Sequence, residues 1–324
     1  MGEIKWGIIG CGDVTEVKSG PAFNKIENSS LVAVMRRDRL KAQDYAVRHG
    51  VPKWYDNADL LINDPEINAI YIATPPLQHE DYTIKALAAG KPVYVEKPMA
   101  LNAAAAIRMK AASEEYGVKL CIAHYRRAQP MFIKIKDLLH EKAIGDVRFA
   151  QLQMLQPIAS DVIATSETSW RLNPAISGGG LFHDLAPHQL DLMVYFFGKP
   201  ESFSGLSLNQ RGTGNADDMV VGQALFNNGV VFNGTWCFTV SPSNKTDLFE
   251  IIGSKGRINF QVFGNKVTLE IEGILKEFVF DPIEHVEQPM IEKVTNYFLG
   301  GDENPCSAEE AILSMKMMDS FTNI

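Results

Sequence analysis

A chain of 324 residues has room for two domains and a large core. Its 46% apolar and 22% charged content is the balance of an ordinary soluble protein, and no apolar run approaches the roughly 20 residues of a membrane helix. A net charge of −8 argues against a nucleic-acid surface, so neither nucleic acid nor membrane is expected as a partner.

The four cysteines, Cys11, Cys121, Cys237 and Cys306, form no C-x-x-C pair and no zinc-finger spacing, which favours a reduced, cytoplasmic setting. The opening Met1-Gly2-Glu3-Ile4-Lys5-Trp6 has no signal-peptide core, and Trp6 stands where a myristoylation motif needs Ser or Thr.

Ile4 to Ile9 is an apolar run that flows into Gly10-Cys11-Gly12-Asp13-Val14-Thr15: strand, glycine turn, helix start. Two glycines so spaced let the backbone turn tightly and approach a pyrophosphate. The third position of G-x-G-x-x-G is Thr15, so the fingerprint is incomplete, and alone the stretch reads equally as an ordinary strand-to-helix turn. Ser30 to Met35 is a second strand, ending on Arg36-Arg37-Asp38. Arginines there suit the 2′-phosphate of NADP(H), while Asp38 would suit the free ribose of NAD(H). The competing reading makes Arg37 and Asp38 solvated caps of the helix from Leu40 to His49.

Asn68 to Ala73 is the next main strand, and Thr74-Pro75-Pro76 at its end is a cofactor-facing loop stiffened by proline. A helix over Glu80 to Ala89 leads to Val93-Tyr94-Val95, a buried strand that ends on Glu96-Lys97-Pro98. Open α/β sheets bind ligands outside the carboxyl ends of their strands. An ammonium there can donate to a substrate oxygen, although Lys97 could also simply snorkel. Asn102 caps an alanine-rich helix to about Tyr116, and Lys119 to Ala123 is a fifth strand whose end carries Tyr125, Arg126 and Arg127. The alternation specifies an α/β fold with a doubly wound, mostly parallel sheet over residues 1–124.

From Gly145 the texture changes. Val147 to Gln156 alternates apolar and polar residues, and similar runs recur at Ser202 to Leu208, Met219 to Phe226, Val230 to Phe238, Leu248 to Ile252, Arg257 to Phe263 and Val267 to Ile271. Residues 125–324 therefore read as an α+β domain with a largely antiparallel sheet, one face of which suits a partner subunit. The C-terminal helical tail could pack back on the first domain.

One helix interrupts these strands, after Gly178-Gly179-Gly180. Pro187 confines its start to about Phe182, which puts Asp184, His188 and Asp191 on one face. A histidine beside a carboxylate is a candidate proton acceptor with an outward ring; a satisfied histidine and a dipole-favoured acid are the plain alternatives. His183 and His188 lie on different faces, so no metal is expected. Trp170-Arg171 reads either as substrate-facing or as core and surface.

Together, Gly10-Cys11-Gly12, Thr74-Pro75-Pro76 with His79, Glu96-Lys97-Pro98, and Gly178-Gly179-Gly180 followed by Asp184-x-x-x-His188 resemble the Gfo/Idh/MocA oxidoreductases over nearly the whole chain. The resemblance implies an N-terminal Rossmann domain, a C-terminal open-faced sheet used for dimers or tetramers, and hydride transfer between NAD(P) and a sugar or polyol. Lys97 then matches the catalytic lysine, His188 the proton donor or acceptor, and Asp184 its partner. Gly10, Cys11, Gly12, Asp13, Val14, Thr74, Pro75, Pro76, His79, Glu96 and Lys97 would face the cofactor. Arg36-Arg37 resembles NADP-using members, and Tyr125, Arg127, Trp170 and Arg171 would face substrate. The resemblance also implies a cis peptide before Pro98. Two other activities fit the same fold: a redox-assisted glycosidase that retains its NAD(H), and a binding protein without turnover.

Overall fold

Six short strands, β1 (Ile4–Ile9), β2 (Ser29–Met35), β3 (Lys53–Tyr55), β4 (Ala69–Ile72), β5 (Val93–Val95) and β6 (Leu120–Ile122), form one sheet in the order β3-β2-β1-β4-β5-β6. All its pairings are parallel. The computed structural model describes residues 2–158, 170–212 and 214–323. Strands β4, β5 and β6 are buried along their whole length, as expected when helices cover both faces of a parallel sheet. The strand order reverses between β1 and β4, which opens a crevice at their carboxyl ends. Behind it Trp6 packs on Phe23 and Phe298, with ring centroids 4.9 and 5.5 Å away.

The backbone clusters into two compact units. The first comprises Met1–Gln129 and Ile283–Ile312, and so includes the helix Gln288–Leu299; the second comprises Pro130–Pro282 and Leu313–Ile324.

The second unit is built on eight strands: β7 (Val147–Leu155), β8 (Pro200–Leu208), β9 (Met219–Phe226), β10 (Val231–Cys237), β11 (Thr246–Gly253), β12 (Gly256–Phe260), β13 (Lys266–Ile271) and β14 (Ile274–Val279). Their order is β14-β13-β12-β11-β7-β10-β9-β8. Strand β7, expected to be antiparallel, pairs so with β11 but runs parallel to β10; the other neighbours are antiparallel. One face buries Leu152, Met154, Phe232, Trp236, Phe249 and Ile251, while Leu206, Leu208, Val221 and Val231 are exposed. No helix among the described residues is long and apolar enough to cross a membrane.

Candidate active site

The glycine turn is shaped by close approach. Gly10 has φ +98°, and a Cβ there would lie 2.8 Å from both Ala73 C and Thr74 N. Only glycine fits, because both the conformation and the space exclude a side chain. Gly12 differs, since a Cβ there would meet nothing nearer than Gly10 O at 3.9 Å. Thr15, the departure from the fingerprint, is buried; its Oγ1 donates to Gly12 O at 2.8 Å and its N–H to the same oxygen at 3.0 Å. The turn therefore closes with a threonine in place, and Tyr45 Oη donates to Thr15 O behind it at 2.7 Å. Cys11 is buried beside them, and burial pushes its thiol up to about 12, so it stays neutral.

At the end of β2, Arg36 Nη1 donates to Cys11 O at 3.3 Å, which lays the guanidinium along the glycine turn. Arg37 is exposed. Asp38 caps the helix Arg39–His49, its Oδ1 accepting from the amides of Leu40 and Lys41 at 3.1 and 3.2 Å.

Thr74-Pro75-Pro76 follows β4, and His79 ties it down. Nε2 of His79 faces Thr74 O at 2.7 Å, and Nδ1 faces Pro98 O at 2.9 Å. Burial drives the imidazole down to about 4, so the ring is neutral and its single N–H serves one carbonyl at a time. His79 thus links the loops after β4 and β5 through their backbones. Thr74 Oγ1 is buried without a protein hydrogen-bond partner. The open space at Gly12, this hydroxyl and the Arg36 guanidinium fit a dinucleotide with its phosphates over the turn.

Strand β5 delivers Glu96, Lys97 and Pro98, and the Lys97–Pro98 peptide is cis. Glu96 is buried and accepts the Lys97 main-chain N–H at 3.1 Å through Oε2. Its Oε1 accepts from Tyr71 Oη at 2.6 Å. Lys97 itself is half-buried. In the turn Tyr125–Ala128, Tyr125 lies under the Arg126 guanidinium at 5.4 Å. Arg127, expected at the ligand, is almost fully buried, and its Nη1 donates to Glu310 Oε1 at 2.8 Å.

In the second unit the helix Leu181–Phe197 carries the remaining candidates. Gly179 leaves room for the buried His183 ring, and Gly180, at φ +78°, abuts Ala216. Asp184 Oδ2 accepts from Arg171 Nε at 3.1 Å, and that guanidinium stacks 4.4 Å over the Trp170 ring. The Trp170-Arg171 pair and Asp184, singled out apart in the sequence, thus form one chain of contacts. His188 is buried rather than outward-facing, and packs edge-on to Phe263 with centroids 5.8 Å apart. No group of three His, Cys, Asp or Glu among the described residues could hold a metal. The sequence reading missed Tyr71 and Glu287, buried polar residues that meet Glu96; no local motif marks either.

A parallel sheet in this order with a glycine turn after β1 is the arrangement of a dinucleotide-binding Rossmann domain. Residues 4–124 match the model of the oxidoreductase family with an NAD-binding Rossmann fold, and residues 132–259 match the GFO/IDH/MocA C-terminal domain. The chain belongs to the Gfo/Idh/MocA family. It is 48% identical over 318 residues to an oxidoreductase of Formosa agariphila, covering 98% of each chain. Identity is 31% to the trans-1,2-dihydrobenzene-1,2-diol dehydrogenase of Mus musculus, over 85% of this chain and 80% of the relative. Among solved structures, the aldose-aldose oxidoreductase of Caulobacter crescentus superposes with a TM-score of 0.84 at 24% identity, covering 98% of this chain and 96% of the other.

Proposed function

We propose that this oxidoreductase uses NADP(H) to interconvert a carbinol and a carbonyl on a sugar, polyol or related compound. The observation that carries the reading is the Glu96-Lys97-Pro98 turn, set at a strand end beside the crevice of a β3-β2-β1-β4-β5-β6 sheet. A bound nicotinamide supplies or accepts the hydride. Gly10, Cys11, Gly12, Asp13 and Val14 would hold the pyrophosphate, and Thr74-Pro75-Pro76 with Glu96 and Lys97 would face the nicotinamide. Lys97 donates to the reacting oxygen and stabilises alkoxide charge as it develops. His188 takes the hydroxyl proton in oxidation and returns it in reduction. Asp184, held by Arg171, sits one helical turn before His188. Relatives named as a dihydrodiol dehydrogenase and an aldose-aldose oxidoreductase support a hydroxylated carbon as the reacting centre.

NADP(H) is the better fit because Asp38 is already bonded to two helix amides, whereas Arg36 and Arg37 border the same strand end. Fluorescence titration of R36A/R37A should show NADPH affinity reduced by about 10–100-fold, as for loss of charge-assisted hydrogen bonds, with NADH little changed. Equal losses for both cofactors would remove the assignment. The activity itself is tested by following NADPH and NADP+ absorbance with a panel of aldoses, ketoses and polyols. Steady change is expected with at least one; glycoside cleavage without net absorbance change would instead mark a redox-assisted hydrolase.

A further inference from the structure

Beneath the Lys97 turn lies a second buried acid. Glu287 sits at the N-cap of the helix Gln288–Leu299, where a short polar side chain ordinarily bonds to helix amides. It makes no such bond. The side chain turns inward, where Oε2 lies 3.2 Å from Tyr71 Oη, the same hydroxyl that donates to Glu96 Oε1 at 2.6 Å, so the two carboxyl groups converge on one phenol. Tyr71, Glu96 and Glu287 are all almost wholly buried.

We propose that Glu287 is a protonated positioning residue, which donates to Glu96 and so keeps Glu96 a carboxylate bonded to the Lys97 main-chain N–H. The proposal deepens the function above and rests on Lys97 serving the reacting oxygen. Its basis is a count of protons. Two buried carboxyl groups meet around one phenol, and one hydroxyl hydrogen cannot satisfy both. Two carboxylates buried around one hydroxyl repel strongly, so one of them holds a proton.

The surroundings decide which. Burial pushes the Glu96 carboxyl up, but the Lys97 charge, the shorter Tyr71 bond and the Lys97 amide oppose that rise and favour its anion, and Glu287 has fewer such partners. Glu287 faces Glu96, Tyr71 from β4, Tyr94 from β5 and the more distant charge of Lys18. Its backbone N–H donates to Lys18 O at 3.2 Å, so the residue is held at its main chain as well as at its carboxyl. Burial, reinforced by the Glu96 charge, holds Glu287 well above the usual carboxyl range. Glutamine at 287 would keep a donor for Glu96 without a titratable proton, whereas alanine would leave Glu96 without its donor.

The test pairs a spectroscopic with a kinetic readout on the full chain. Near neutral pH, the infrared difference spectrum of wild type minus E287Q should contain a protonated-carboxyl C=O stretch that shifts on deuterium exchange. This readout does not depend on activity, so it stands even if no sugar is turned over. In turnover, E287A should lower kcat by about 10-fold, the size of one lost charge-assisted hydrogen bond. E287Q should restore most of that loss, with NADP(H) affinity equal in both. Absence of the carboxyl band in the difference spectrum would overturn the proposal. So would equal impairment of the two variants, or no impairment in either.

Discussion

Lys97→Ala is expected to lower kcat by about 10²–10³-fold, while NADP(H) affinity stays within about threefold. The asymmetry follows from when the charge is needed. In the ground state the reacting oxygen is a neutral hydroxyl or carbonyl, and a donor gains little from it. As the hydride moves, that oxygen approaches an alkoxide, and a donor already aimed at it stabilises the transition state selectively. Glu96, fixed by Tyr71 and by the Lys97 amide, supplies the aim. Stopped-flow kinetics with NADPH, alongside a binding titration, separates the two effects. Near-native turnover in K97A would remove Lys97 from the chemistry.

The second large effect falls on the glycine turn, and its two glycines should fail differently. Gly10→Ala forces a side chain into a left-handed backbone and into the Ala73–Thr74 peptide at 2.8 Å. Strain of about 1–2 kcal/mol and overpacking of about 1–3 kcal/mol combine, so thermal unfolding should show a loss of roughly 2–5 kcal/mol. Gly12→Ala meets no such obstacle, since φ there is −131° and the space is open. Its Cβ would enter the volume proposed for the pyrophosphate, so NADPH affinity should drop with stability nearly unchanged. A stable, cofactor-binding G10A would contradict the close approach. A G12A protein with native affinity would place the phosphates elsewhere.

Much of the first unit was legible because its signals are local. The apolar run Ile4–Ile9, the cap at Asp38 and the glycine turn each read from a few adjacent residues. The helix Leu181–Phe197 was legible from the glycines that precede it, but Pro187 lies inside it rather than at its start, and its burial on nearly all sides hid the face that the 3.6-residue repeat had suggested was outward. Strand β7 was harder. Alternation shows that a strand is half-buried but not which way its neighbour runs, so the parallel partner β10 was hidden. Strand β14 went unread because Ile274, Leu275 and Val279 are all exposed, which leaves no inward-outward rhythm. The Arg171–Asp184 pair spans 13 residues, and the Tyr71–Glu287 contact spans 216. Such meetings depend on tertiary packing, and one sequence carries no pattern for them. The sequence thus exposed Lys97 and His188 as candidates, while the polar groups that hold Glu96 beneath Lys97 emerged only from the fold.

The most direct measurement follows a label. The protein is supplied with NADPH deuterated on the transferring face of C4, together with the carbonyl compound that gives the fastest absorbance change. The deuterium is expected on the new carbinol carbon, one per product molecule, with a proton from His188 on its oxygen. Product formed without deuterium at that carbon would contradict direct hydride transfer.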